Sequence, residues 1–200
     1  MRNTLIKKRF LGTLGALCCA LMVAGCVGPE GLGIPPEAAS AEARGKLGVR
    51  PADPALGPRP FSANFRWRED RRRFDFELWG PFGQGRVQIV GDARRVTVFD
   101  ARGERVSGGD PEALLQNLLG WSVPLEVLPR WLRGQPADEP AFSGESRDAD
   151  GRLTGFEQAG WQLQFDRYGR LPDRRPGRIR AANEQLRLTL FVREWAPAGG

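Results

Sequence analysis

Few side chains in this sequence are equipped for chemistry, and the one that stands out is a thiol near its start. Cys26 closes the run Val23-Ala24-Gly25-Cys26, a branched residue and two small ones ahead of the sulfur. Before it lie an apolar stretch from Leu11 to Val23 and the cations Arg2, Lys7, Lys8 and Arg9, which complete the three parts of a secretory signal. The stretch is shorter than the about 20 apolar residues of a membrane-spanning helix, and Gly12, Thr13 and Gly15 interrupt it. Elsewhere reactive groups are scarce. The chain has no histidine, which excludes Ser-His-Asp and Cys-His catalysis and removes the commonest transition-metal ligand. It has no Walker-type glycine loop to cradle nucleotide phosphates. Its acids sit mostly in charged turns such as Arg147-Asp148-Ala149-Asp150-Gly151, where solvation accounts for them. The expectation is a protein that is no enzyme and carries no metal and no cofactor.

The Val-Ala-Gly-Cys run resembles the bacterial lipobox. In that motif diacylglycerol alkylates the thiol, the signal is cut ahead of the cysteine, and the new amino end is acylated. The chain then divides into a lipoprotein signal peptide (1–25), a lipidated N-terminus and tether (26–43), a folded domain (44–195) and a C-terminal tail (196–200). An ordinary signal peptide with a stray cysteine is the alternative. Removing residues 1–25 takes Cys18 and Cys19 with it, so a lipidated Cys26 leaves no thiol for a disulfide. The remaining 175 residues suffice for one domain with a real core. The signal carries four cations and no acid, so the formal charge of +6 falls to +2. The pI near 10.0 is therefore no sign of a nucleic-acid partner.

Hydrophobic alternation dominates the rest. Residues 27–35 are rich in glycine and proline and read as a flexible tether, and 36–44 read as one or two helical turns. Strands are expected at 46–50, 61–68, 72–79, 85–90, 94–99 and just before Val106, then at 141–147, 153–158, 161–167, 177–181 and 186–193. Between the two sets, Asp110-Pro111-Glu112 is a strong helix start ahead of Leu114, Leu115, Leu118 and Leu119, and Gly120 ends it. A second helical stretch is expected from Pro124 to Leu132, kinked or divided at Pro129. Eleven strands and two short helices imply an antiparallel sheet that curls on itself, with the helices over an open end or face.

Two constellations carry function. In Trp79-Gly80-Pro81-Phe82-Gly83-Gln84-Gly85 a tight turn sets Phe82 between neighbours that cannot shelter it. Phe82 either folds back into the core or stands out as an apolar finger, which costs about 2 kcal/mol in water unless a partner or bilayer receives it. The second is the block Leu114–Leu132, with Leu118, Trp121, Leu125, Leu128 and Trp131, facing a sheet that holds Phe65, Trp67, Phe74, Phe76, Trp161 and Phe165. A packed core and a cavity for acyl chains would draw on the same residues.

Together these residues resemble the LolB family, outer-membrane lipoproteins that receive other lipoproteins from the periplasmic carrier LolA. Beside the lipobox, the matching elements are Arg44-Gly45-Lys46-Leu47, Phe65-Arg66-Trp67, Gly80-Pro81-Phe82-Gly83, Gly120–Leu125, Leu128–Pro136, Gly160-Trp161-Gln162-Leu163 and Leu186–Trp195. The resemblance implies a mainly β fold, an unclosed antiparallel barrel with a short helical lid and a hydrophobic cavity for acyl chains. It implies that Pro81, Phe82 and Gly83 form a loop that helps insert cargo into the membrane, where the family often has leucine for Phe82. It also implies LolA, acylated lipoprotein cargo and outer-membrane lipids as partners, and a monomer. Val27 is not the aspartate that commonly retains lipoproteins in the inner membrane, so outer-membrane sorting follows, with the domain facing the periplasm. The family's N-terminal helix is short or missing, and the loop from Pro51 to Pro60 is unusually rich in proline. The competing reading is an envelope lipoprotein that binds another hydrophobic ligand or scaffolds envelope assembly.

Overall fold

Alternation along the strands decides which face of this chain is buried. The computed structural model describes residues 33–35, 38–55, 59–71, 73–92, 95–106, 110–169 and 175–197. Cys26, the signal segment and the first part of the tether lie outside the described residues.

The first meander comprises β1 (Ala41–Pro51), β2 (Phe61–Glu69), β3 (Phe74–Trp79), β4 (Val87–Gly91), β5 (Val96–Phe99) and β6 (Arg105–Val106). Helices α1 (Pro111–Leu119) and α2 (Leu128–Leu132) follow. The second meander comprises β7 (Phe142–Arg147), β8 (Leu153–Gln158), β9 (Trp161–Asp166), β10 (Arg178–Ala182) and β11 (Leu186–Pro197). All eleven strands form one sheet in the order β6-β5-β4-β3-β2-β1-β11-β10-β9-β8-β7. Antiparallel pairing of β1 with β11 joins the meanders, and β6 and β7 are the two edges. The sheet is an unclosed barrel, as expected.

Three stretches depart from the sequence expectation. Residues 41–44, expected to be helical, begin β1. This strand is paired along its length with both β2 and β11, and two ladders outweigh the helical preference of its alanines. The strand also needs Gly45, where a Cβ would sit 1.9 Å from the Phe191 carbonyl oxygen, beside a register shift. α2 begins at Leu128 rather than Pro124. Pro129 is tolerated in a first turn, whereas an earlier start would set its ring against the Leu125 carbonyl. At the other end, Ala196 and Pro197, expected in the tail, extend β11. Helix α1 starts as expected: Asp110 accepts from the Glu112 N–H at 2.9 Å, and Gly120 ends it in the left-handed conformation.

The concave face buries Phe65, Trp67, Phe74, Phe76, Ile89, Val98, Phe156, Leu163, Phe165 and Leu188, and the helices pack over them. The convex face carries the charges, and part of it is covered too. Ile34, in the stretch expected to be tether, is fully buried, and its carbonyl accepts from Arg68 at 3.3 Å. Beneath it Arg68 pairs with Glu42 at 2.6 Å, and Asp75 accepts from Gln88 at 3.0 Å. The N-terminal segment is thus docked across a row of cross-strand charges before it leaves toward Cys26.

Burial pushes the Asp75 carboxyl up despite its bond to Gln88. A raised folded-state pKa gives stability that is fully present below the unfolded value and is lost as pH rises through the folded one. Asp75→Asn removes the buried charge, so it should be more stable than the wild type at neutral pH. The gap should narrow as pH falls through the carboxylate range, which urea midpoints at several pH values will read.

Candidate functional site

Cross-strand register assembles the aromatic interior. Trp67 stacks on Phe74 with ring centroids 5.1 Å apart and meets Phe76 at 5.7 Å, while Phe65 lies 6.1 Å from Phe76. In the other half of the sheet Phe156 meets Phe165 at 5.4 Å. Trp131 of α2 reaches into that half, 6.3 Å from Trp161. Leu114, Leu125 and Leu128 complete the cover. These side chains form one continuous apolar cluster. Among the described residues one groove of about 660 Å³ opens beside Gln158, Trp161 and Glu184 and one of about 450 Å³ beside Arg130, Arg152 and Tyr168.

Two polar side chains fasten the helical cover. Gln158, at an inward position of β8, accepts from Trp131 Nε1 and from the Ala137 N–H, both at 2.9 Å. It donates to the carbonyls of Ala137 and Pro140, at 2.9 and 2.6 Å. Glu69, at the inward end of β2, accepts from Trp67 Nε1 at 3.3 Å and from both Nε and Nη2 of Arg133, at 2.8 and 2.7 Å. Each half of the open sheet therefore holds one side of the α2 segment. Tyr168 packs beside Gly134 just past α2 and donates to the Leu153 carbonyl. Burial pushes its phenol up to about 12, so it stays a neutral donor.

The loop between β3 and β4 is of another kind. Gly80 N–H donates to the Gln84 carbonyl at 2.7 Å, pinching the loop at its base. At its tip Phe82 is 99% exposed, with no side-chain packing to hold it. Its backbone is left-handed (φ 61°, ψ 20°), a region that costs a residue with a Cβ about 1 kcal/mol. The chain thus keeps a large apolar side chain in water on a strained backbone. An outlier of that kind points to function.

The chain matches the family model "Outer membrane lipoprotein LolB" over residues 40–195. It belongs to the LolB family. It is 30% identical to the outer-membrane lipoprotein LolB of Cellvibrio japonicus (strain Ueda107), over 90% of this chain and 94% of the relative. With the LolB of Stutzerimonas stutzeri (strain A1501) it shares 34% identity over 94% and 96% of the two chains. With that of Pseudomonas paraeruginosa the identity is 34% over 76% and 72%. Membership makes the chain an outer-membrane lipoprotein, with a role in lipoprotein localisation.

Within this LolB fold the sequence-derived residues divide. Phe65, Trp67, Phe74, Phe76, Leu114, Trp121, Leu125, Leu128, Trp131, Trp161 and Phe165 are all buried in one apolar interior. Leu118 is not; it is 38% exposed, while its neighbour Leu119 packs against the core. Phe82 stands free of that interior. Sequence reasoning missed Glu69 and Gln158. Their signal was their register, since each continues an apolar alternation (Phe65, Trp67, Glu69; Phe156, Gln158) with a polar group. At the tip, nothing is packed against Phe82 and its backbone favours glycine. Phe82→Gly should therefore raise stability by roughly 1 kcal/mol in urea unfolding, whatever it does to activity.

Proposed function

We propose that this protein accepts acylated lipoproteins from the periplasmic carrier LolA and inserts them into the inner leaflet of the outer membrane. It works as a monomer anchored by acyl chains on Cys26. The reading rests on the family, on an apolar interior covered by two short helices, and above all on Phe82. A phenylalanine fully exposed on a strained loop forgoes about 2 kcal/mol of burial, and a bilayer supplies that burial.

Each buried methylene of a lipid chain is worth about 0.8 kcal/mol, so several chains leave a membrane very slowly and need continuous cover outside it. The helical segment packs over the apolar side chains of the sheet. The helical segment therefore moves when cargo enters, and the loss of its packing offsets part of the gain from the acyl chains. The sequence has no nucleotide loop of the Walker type, so transfer runs down an affinity gradient from carrier to this protein to bilayer. The anchor holds the interior near the destination, and Phe82 opens the apolar route into the leaflet.

The test is a transfer assay with labelled lipoprotein loaded on the carrier and outer-membrane vesicles as acceptor. Phe82→Glu should take cargo from the carrier as the wild type does and fail to release it into vesicles. Normal insertion by a folded Phe82→Glu variant removes Phe82 from the mechanism. Recovery of free lipid alone, with no lipoprotein crosslinked to the interior at Trp131, favours an envelope protein for another hydrophobic ligand.

A further inference from the structure

Among the buried side-chain nitrogens and oxygens of the described residues, only Arg66 Nε and Trp121 Nε1 lack a partner. Arg66 still pairs with Glu77 through its guanidinium. Trp121 has no other polar atom. The residue is 3% exposed, so its N–H gives up water and gains no acceptor, a costly arrangement. The neighbouring tryptophans differ: Trp67 donates to Glu69 and Trp131 to Gln158.

The surroundings indicate what the N–H awaits. Phe61 faces Trp121 at 6.2 Å and is 37% exposed. Leu118, also half-exposed, precedes Trp121 on the same segment. This is an apolar rim with one unmet donor just inside it. It lies at the end of the sheet that carries Phe82. Asn64 pairs with Trp79, and Phe61 on β2 and Phe82 in the loop after β3 are each three residues beyond that rung, in the same direction. A ligand that suits the rim brings apolar chains inward and an uncharged acceptor at their head. Acyl esters have that form.

We propose that Trp121 Nε1 is a subsite for the carbonyl oxygen of an acyl ester, at the point where lipid chains enter the interior. The inference rests on the proposed function and adds to it the part of the lipid that is recognised. Diacylglyceryl cargo and membrane phospholipid share this chemistry, and the test separates them.

The purified protein is titrated with an S-diacylglyceryl-cysteine peptide, with its dialkyl ether analogue of equal chain length, and with a diacyl phospholipid. The wild type should bind the ester peptide about tenfold more tightly than the ether, or 1.4 kcal/mol. Trp121→Phe should lose the preference and bind ester and ether alike. In the wild type, the Trp121 indole N–H resonance should move downfield with the ester and not with the ether, a readout independent of how the variant folds. A preference that extends to the phospholipid marks a general acyl-ester subsite, and one confined to the peptide marks a cargo subsite. Equal binding of ester and ether by the wild type, or a preference that survives in Trp121→Phe, overturns the subsite and leaves the proposed function standing. Failure of the wild type to bind any of the three lipids overturns both.

Discussion

The whole structure depends on a sheet that curls without closing. Its concave face is apolar, yet its edge strands β6 and β7 do not pair with each other, so main-chain hydrogen bonds cannot seal the interior. The topology supplies the seal. The two meanders meet at the centre of the sheet through β1 and β11, which makes the connection between them also the connection between the two edges. That connection carries α1 and α2 and packs over the apolar face. It is the one large piece of the interior's cover that can move without breaking a strand ladder.

A mobile cover still needs a resting position, and apolar packing alone sets position loosely. Polar groups at inward positions fix it. Gln158 makes four hydrogen bonds to the segment from Trp131 to Pro140, three of them buried and the one to the Pro140 carbonyl part-buried. Glu69 holds Arg133, whose side chain is about one-third exposed and therefore more easily recaptured by water. The two fastenings are unequal in kind. Leaving a buried amide with all its bonds made strands several groups at once, which is costly. Breaking a carboxylate from a guanidinium that is one-third exposed costs less, since solvent replaces part of what is lost.

Much of this was legible in the residues. The alternation of Phe65 and Trp67, of Phe74 and Phe76, or of Leu186, Leu188 and Leu190 has only one sense in a sheet with one buried face. Asp110-Pro111 and Gly120 marked α1 because caps are local chemistry. The failures share a cause. Ala41–Arg44 has helical propensity and is a strand because two partners far away in sequence bind both its edges. Leu118 has the spacing of a buried residue, but periodicity does not report which residues of a helical face find a partner. Trp121 reads as core by type, and its lone N–H is visible only once every neighbour has a position. The docking of Ile34 onto the convex face was likewise a matter of long-range register.

The chain keeps two deficits at one end of its sheet. Phe82 stands in water on a backbone that favours glycine, and Trp121 holds a donor without an acceptor beneath a half-exposed apolar rim. Nothing in the core requires either. Glycine would serve the turn better, and any of several polar residues placed like Gln158 would satisfy the indole. Without a nucleotide to drive it, transfer on the proposed function draws its direction from differences in free energy already present in the resting protein. An acyl ester relieves the indole on entry, and a bilayer relieves the phenylalanine on exit. Placing both deficits at one end makes the step that unloads the interior the same step that satisfies the loop. The docked N-terminal segment adds a geometric condition. With Ile34 fixed on the convex face, only the residues from Val27 to Gly33 are left to span from an anchored Cys26 to the fold, about 25 Å at full extension. That docking lies by Arg68 and Asp75, toward the opposite end of the sheet from Phe82, so on that reading the tether must run back along the fold for the rim to meet the leaflet that holds the anchor.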